Sequence, residues 1–158
     1  MSNLGEKRSI RFAADSMLGK LARYLRVMGY DTVYRSKYSD KILSELVEDG
    51  RILLTRNRAT ARQYHNSVFI DGDLVEDQLK AVDRAAKLTR DLEKWFKRCL
   101  VCNSSLFKAE AEAAKENVPD FIFLKHSERI VFCPSCGRFY WPGTHRQRMF
   151  ERLKDWGF

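Results

Sequence analysis

Four cysteines stand in two pairs, Cys99 with Cys102 in RCLVCN and Cys133 with Cys136 in FCPSCG, with thirty residues between Cys102 and Cys133. A CxxC turn presents two thiolates from one short loop, and two such turns facing each other complete a closed tetrahedral shell for structural zinc. In a reducing compartment this pairing points to metal rather than to disulfides. A redox dithiol is the alternative, but a single CxxC would serve that role. Each pair is followed by a residue that tolerates positive φ, Asn103 and Gly137 respectively. Because four sulfurs already fill the shell, His126 and His145 are expected as solvent-facing or polar groups, not as zinc ligands.

A second set is acidic. Asp15, Asp40 and the pair Asp71 and Asp73 come after the first, second and fourth of four short apolar runs, and after the third stands their amide relative, Asn57. If the runs are parallel strands, their C-terminal ends form one rim, where functional groups of open α/β sheets gather. Carboxylates gathered there suit Mg²⁺ or Mn²⁺, hard ions that take oxygen ligands, keep some water and complete their shell with phosphate oxygens. Such an ion activates water for phosphodiester cleavage. Arg51, Arg56, Arg58 and Arg62 surround the third run and are read as phosphate contacts. The competing reading is that Asp15, Asp40 and Asp73 cap or flank helix starts, where Asp is worth about 0.5 to 2 kcal/mol. Asp31 falls before its strand, on the opposite edge.

The elements that must position these groups follow from hydrophobic periodicity. SIRFAAD reads as a strand, and the helix after it places Leu18, Leu21, Leu25 and Met28 on one face with Lys20, Arg23 and Arg26 on the other, ending at Gly29. TVYRS, RILLTR and SVFID read as further strands. Helices are expected after Ser39 up to Gly50, over 58–64 and over 74–88. Alternating strand and helix predicts a parallel sheet with right-handed crossovers and helices on both faces. Charged residues 84–98 read as a helical connector, so the α/β domain is expected over 8–92 and a zinc ribbon with a C-terminal helix over 97–158.

Charge narrows the partners. The net formal charge is +8 and the composition 44% hydrophobic. Residues 1–89 carry 16 basic and 12 acidic side chains and residues 90–158 carry 13 and 9, so both halves are equally basic. A polyanion such as RNA is the expected partner, since Lys and Arg on phosphate gain affinity by counterion release. RFYWPGTHRQRM interleaves Phe139, Tyr140 and Trp141 with Arg138, His145 and Arg146, as suits single-stranded RNA; the competing use of those rings is to fill the ribbon core. Lys20, Arg23, Arg56 and Arg58 join Arg138, His145 and Arg146 as RNA-binding candidates. No apolar run is long enough for a bilayer and no signal-like segment opens the chain, so no membrane and a cytoplasmic location are expected.

Together FAADSMLGKLARYLRVMGYDT, GRILLTRNR, the DQL at Asp77 to Leu79, RCLVCN and CPSCGRFYWPGTHRQRM resemble the Mut-seven C-terminal RNase domain family, from about Arg11 to Leu153. The resemblance implies a PIN-like fold fused to a zinc ribbon, with clustered acids binding Mg²⁺ or Mn²⁺ and cleaving RNA. It assigns Asp15 as the first-strand acid and Asp40 as the acid opening the second helix. Where the family reads Thr-Arg-Asp this chain reads Thr55-Arg56-Asn57. The fourth acid is Asp71 or Asp73, with Asp73 carried in the candidate set. Three functions follow: a metal-dependent endoribonuclease attenuated by Asn57, a non-catalytic RNA-binding protein of ribosome or tRNA, and a phospho-acceptor signalling domain. The last wants an aspartate where Asn57 stands.

Overall fold

A computed structural model describes residues 9–158, so the expected start of the first domain at residue 8 lies outside the described residues. The described residues form two compact units, residues 9–22 with Tyr30–Leu88 and Arg23–Gly29 with Thr89–Phe158.

The first unit is built on four short parallel strands: β1 (Phe12–Ala14), β2 (Thr32–Tyr34), β3 (Ile52–Thr55) and β4 (Ser67–Phe69). Their order is β2-β1-β3-β4. Helices α1 (Gly19–Val27), α2 (Asp40–Glu48) and α3 (Arg58–Gln63) connect them, and α4 (Val75–Ala86) follows. This is the α/β class expected, a parallel sheet flanked by helices. Strand β1 is buried along its whole length, which requires the small apolar Ala13 and Ala14 in a central parallel strand. Phe12 of β1 is buried with Leu53, Leu54, Ile70, Leu79 and Val82. Ser39 caps α2 through Ile42 N–H, and Gly50 closes that segment at φ 89°.

Two arginines depart from expectation. Arg51 is buried on the edge opposite the rim, where it makes a two-pronged ion pair with Asp31 at 2.7 and 3.1 Å and donates to the Phe12 carbonyl at 3.1 Å. It is therefore a structural cation and not a phosphate contact; burial of one charge demanded the other. Arg26, expected on the exposed face of α1, is only 5% exposed and donates to the carbonyls of Leu100 and Val101 at 2.9 and 3.1 Å.

In the second unit the expected helical connector is absent. Helix α4 ends at Ala86, Lys87 turns left-handed at φ 51°, and only a single 3₁₀ turn (Leu92–Lys94) follows. Trp95 is buried and Phe96 takes φ 59°, its N–H bonded to the Val27 carbonyl at 2.7 Å. Tertiary burial overrides the helical propensity of the charged run. The ribbon sheet comprises β5 (Phe107–Lys108), β6 (Val131–Phe132) and β7 (Phe139–Tyr140), antiparallel in the order β5-β6-β7. Helices α5 (Ala111–Asn117) and α6 (Asp120–His126) lie between β5 and β6, and α7 (Thr144–Asp155) closes the chain as the expected amphipathic helix, burying Met149 and Leu153. Among the described residues, no helix is long and apolar enough to cross a membrane.

Replacing Arg51 with Met should destabilise the chain by about 3 kcal/mol, because it removes the two-pronged pair that the guanidinium makes with the partly buried Asp31 carboxylate. Urea denaturation of the two proteins measures this; a difference near zero would show that the pair contributes nothing net.

Candidate metal centre and acidic rim

The two CxxC turns are near copies of each other. Asn103 N–H bonds the Cys99 carbonyl at 3.0 Å and Gly137 N–H bonds the Cys133 carbonyl at 2.8 Å. In the same register, Cys99 N–H bonds the Ser104 carbonyl and Cys133 N–H the Arg138 carbonyl, at 2.7 and 2.8 Å. Asn103 and Gly137 take φ of 73° and 74°, as their residue types foretold. Each turn thus curls its backbone around its own pair of sulfurs. The four Sγ atoms lie within 4.8 Å of one another, with Cys99 to Cys136 at 3.7 Å and Cys102 to Cys133 at 3.3 Å. A tetrahedral shell with Zn–S bonds of about 2.3 Å has edges of about 3.8 Å, so the donor set fits zinc.

Burial and hydrogen bonding divide the thiols. Burial pushes Cys133 up to about 12. For Cys102 burial acts in the same upward direction, but contacts with the Ser104 side chain and backbone outweigh it and bring the thiol down to about 6. Cys99 also falls: burial raises it, and Tyr140 with the backbone of Cys102 and Val101 more than offsets that. Tyr140 Oη lies 3.1 Å from Cys99 Sγ, and the phenol is pushed up first by burial and then by that sulfur, so it keeps its proton for the thiolate. A divalent cation resolves the conflict by favouring all four thiolates.

The expected aromatic platform is largely spent on structure. Phe139 and Trp141 pack on the ribbon core of Ala109, Ala114, Val118, Ile122 and Ile130. Arg23, Arg138 and His145 do line one cavity of about 380 Å³, together with Trp141. Arg146 instead stacks on the Phe96 ring at 4.5 Å. His126, expected as a solvent-facing or polar group, is buried and makes a polar contact with Arg129.

In the first unit the chain leaves β1 toward β2 and returns on the far side to β3, so the switch point lies between β1 and β3. Asp15 and the Thr55–Asn57 turn flank it. Asp15 N–H donates to the Leu54 carbonyl at 2.9 Å. Its carboxylate accepts from buried Thr55 Oγ1 at 2.7 Å, from Ser16 N–H at 2.5 Å and from Ser16 Oγ at 3.1 Å. Thr55 Oγ1 in turn accepts Asn57 N–H at 3.0 Å, so one hydroxyl ties the two candidate residues together. Tyr38 and Tyr34 pin the same loop, donating to the carbonyls of Ala14 at 2.8 Å and Ser16 at 2.9 Å. Gly19 packs close beside it: a Cβ there would stand 3.1 Å from the Tyr34 ring, which would have to give by a few tenths of an ångström.

The remaining candidates are more open. Asn57 caps α3 through Thr60 N–H at 3.1 Å. Asp40 is the exposed first residue of α2, next to the Ser39 cap. Asp73 has a side chain 90% exposed and is paired with Arg56 at 2.9 Å, while Asp71 is exposed and accepts Gly72 N–H at 3.0 Å. Lys20 is exposed on α1, and Arg58 lies over the Phe69 ring at 4.2 Å. Among the described residues the four cysteines are the only group of three or more His, Cys, Asp or Glu placed to hold one ion. The rim therefore is not a cage made by protein alone.

Thr55, Ser16, Tyr34 and Tyr38 carry no role in the sequence reading. Only the place of Thr55 inside the Thr-Arg-Asn triplet could have flagged it.

The profile of the Mut7-C RNAse domain matches residues 10–153. The chain belongs to this family. The Mut7-C assignment makes its function ribonuclease-type and RNA its substrate class. No curated protein matches the chain.

The Mut7-C ribbon should hold one zinc per chain, with Cys133→Ser losing the metal and unfolding the second unit. Elemental analysis and circular dichroism read both; a metal-free chain that keeps its α7 and ribbon signals would contradict the assignment.

Proposed function

We propose that this Mut7-C chain is a metal-dependent endoribonuclease that hydrolyses RNA phosphodiester bonds at the rim of the parallel sheet, with activity attenuated by Asn57. The observation that carries the reading is the half-buried Asp15 carboxylate at the β1–β3 switch point, held in one orientation by Thr55 and Ser16. Asp15 would hold Mg²⁺ or Mn²⁺ together with water and phosphate oxygens, with Asp40 or Asp73 as at most one further carboxylate, since among the described residues no three acids stand together. That ion, when bound, polarises the phosphodiester and activates water. Asp15 supplies fixed negative charge without rearranging, because its loop is pinned by two tyrosines. Arg56 neutralises Asp73 in the free protein and is placed to move to an RNA phosphate when the strand arrives. Lys20, Arg23, Arg58 and Arg138 supply further phosphate contacts, and zinc keeps the ribbon folded.

Asn57 is the weak point. Its amide oxygen is neutral and already caps α3, so it adds no charge for a cation. That observation favours the second reading, an RNA-binding protein without catalysis, associated with ribosome or tRNA.

Mn²⁺-dependent cleavage of a fluorescent single-stranded RNA separates the two. Wild type should cut slowly, Asp15→Asn should lose at least about a hundredfold, as expected for removal of a pre-oriented charge, and Asn57→Asp should gain activity. Cutting that survives Asp15→Asn would overturn the assignment of that residue. An inert wild type and an inert Asn57→Asp would favour the binding protein.

A further inference from the structure

A cavity of about 760 Å³ in the second unit is lined by Lys125, Arg129 and Arg146 on one hand and by Trp95, Phe96 and Phe121 on the other. Among the described residues none of the three cations takes part in an ion pair. Their charge registers on two groups beside them. Arg146 has its pKa lowered, first by burial and then by Arg129. His126 is lowered by burial, then by Arg129 and Lys125, and its Nδ1 meets Arg129 Nη2 at 3.4 Å, the contact of a neutral ring accepting from a guanidinium. Concentrated positive charge around a concavity, without a carboxylate to balance it, is the field of an anion site.

The rings narrow the anion. Phe121 is 69% exposed although it lines the cavity, and Trp95 is buried with an indole N–H that has no hydrogen-bond partner. An unpaired base covers an exposed ring and carries hydrogen-bond acceptors, while its phosphates answer the cations. A duplex keeps its bases stacked and uses only the charges; an acidic peptide leaves the ring uncovered. The volume falls in the range of ligand pockets, roughly 300 to 1,000 Å³.

We propose that this cavity binds one unpaired nucleotide of single-stranded RNA, its base stacked on Phe121 and its phosphates on Arg129, Lys125 and Arg146. The site rests on RNA being the substrate class of the rim and gives the second unit its own grip on the strand. Specificity for unpaired RNA then resides in the second unit, which needs neither Asp15 nor a rim cation.

The test is fluorescence anisotropy of a labelled single-stranded RNA with the zinc-loaded full chain, without added Mg²⁺ or Mn²⁺. Phe121→Ala, a change at an exposed ring, should weaken single-strand binding about tenfold and leave duplex RNA binding unaltered. Arg129→Gln should reduce the slope of log K against log salt by about 0.7, one phosphate contact on a single strand. Zinc content and circular dichroism establish that each variant is folded. Equal single-strand affinity in wild type and Phe121→Ala would overturn the proposal, and so would poly-glutamate competing as well as unlabelled RNA. Because no cleavage is read, an inert enzyme with Phe121-dependent binding sinks only the nuclease reading, and a cutting enzyme without that dependence sinks only this site.

Discussion

The hydrogen bond from Thr55 to Asp15 is the constraint on which the first unit's rim depends. β1 and β3 are neighbours whose connections leave in opposite directions, so a gap opens at their C-terminal ends. Any polar group placed there must be tied to the backbone or be lost to solvent. Asp15 is tied by its amide to Leu54, by its carboxylate to Thr55 and Ser16, and its loop by the phenols of Tyr34 and Tyr38. The hydroxyl of Thr55 also receives the amide of Asn57, so the turn after β3 and the turn after β1 are set by one buried atom. A group held that firmly pays little reorganisation when charge develops beside it.

The second unit solves a different problem. Its sheet strands are two residues long and the ribbon's own core is a handful of aliphatic side chains with partly buried rings around them. So small a core supplies little stability, and the two cysteine turns add the cross-link that it lacks. Tyr140, Ser104 and the Arg26 bonds to the Leu100 and Val101 carbonyls support the first turn from three sides. That support explains why an arginine on the charged face of its helix is buried: its partners are carbonyls of the cysteine turn.

Groups with local signatures were legible in the sequence. Leu18, Leu21, Leu25 and Met28 announced a helix face by spacing, Ser39 its cap, and Asn103 and Gly137 their left-handed backbone, because each depends on neighbours within a few residues. Pairings across the fold were not. Nothing local tells that Arg51 will find Asp31, that Arg26 will reach a turn 74 residues away, or that Phe139 and Trp141 will be spent on a core. The run 84–98 looked helical because charge and propensity are local, whereas the burial of Trp95 that breaks it is not. At the rim, strand ends could not separate Asp15, which is pinned, from Asp40 and Asp73, which stand open. The Thr-Arg-Asn triplet carried more than its departure from Thr-Arg-Asp: its threonine organises the site.

The central claim is that Asp15 recruits a hard cation only in company with RNA phosphate. Paramagnetic broadening of backbone amide signals by Mn²⁺ tests it directly, using a cleavage-resistant RNA. The account predicts selective broadening at Ser16 and Asn57 when RNA and Mn²⁺ are both present, and its loss in Asp15→Asn. Broadening at those amides that is unchanged in Asp15→Asn, or none at all with RNA bound, would contradict it.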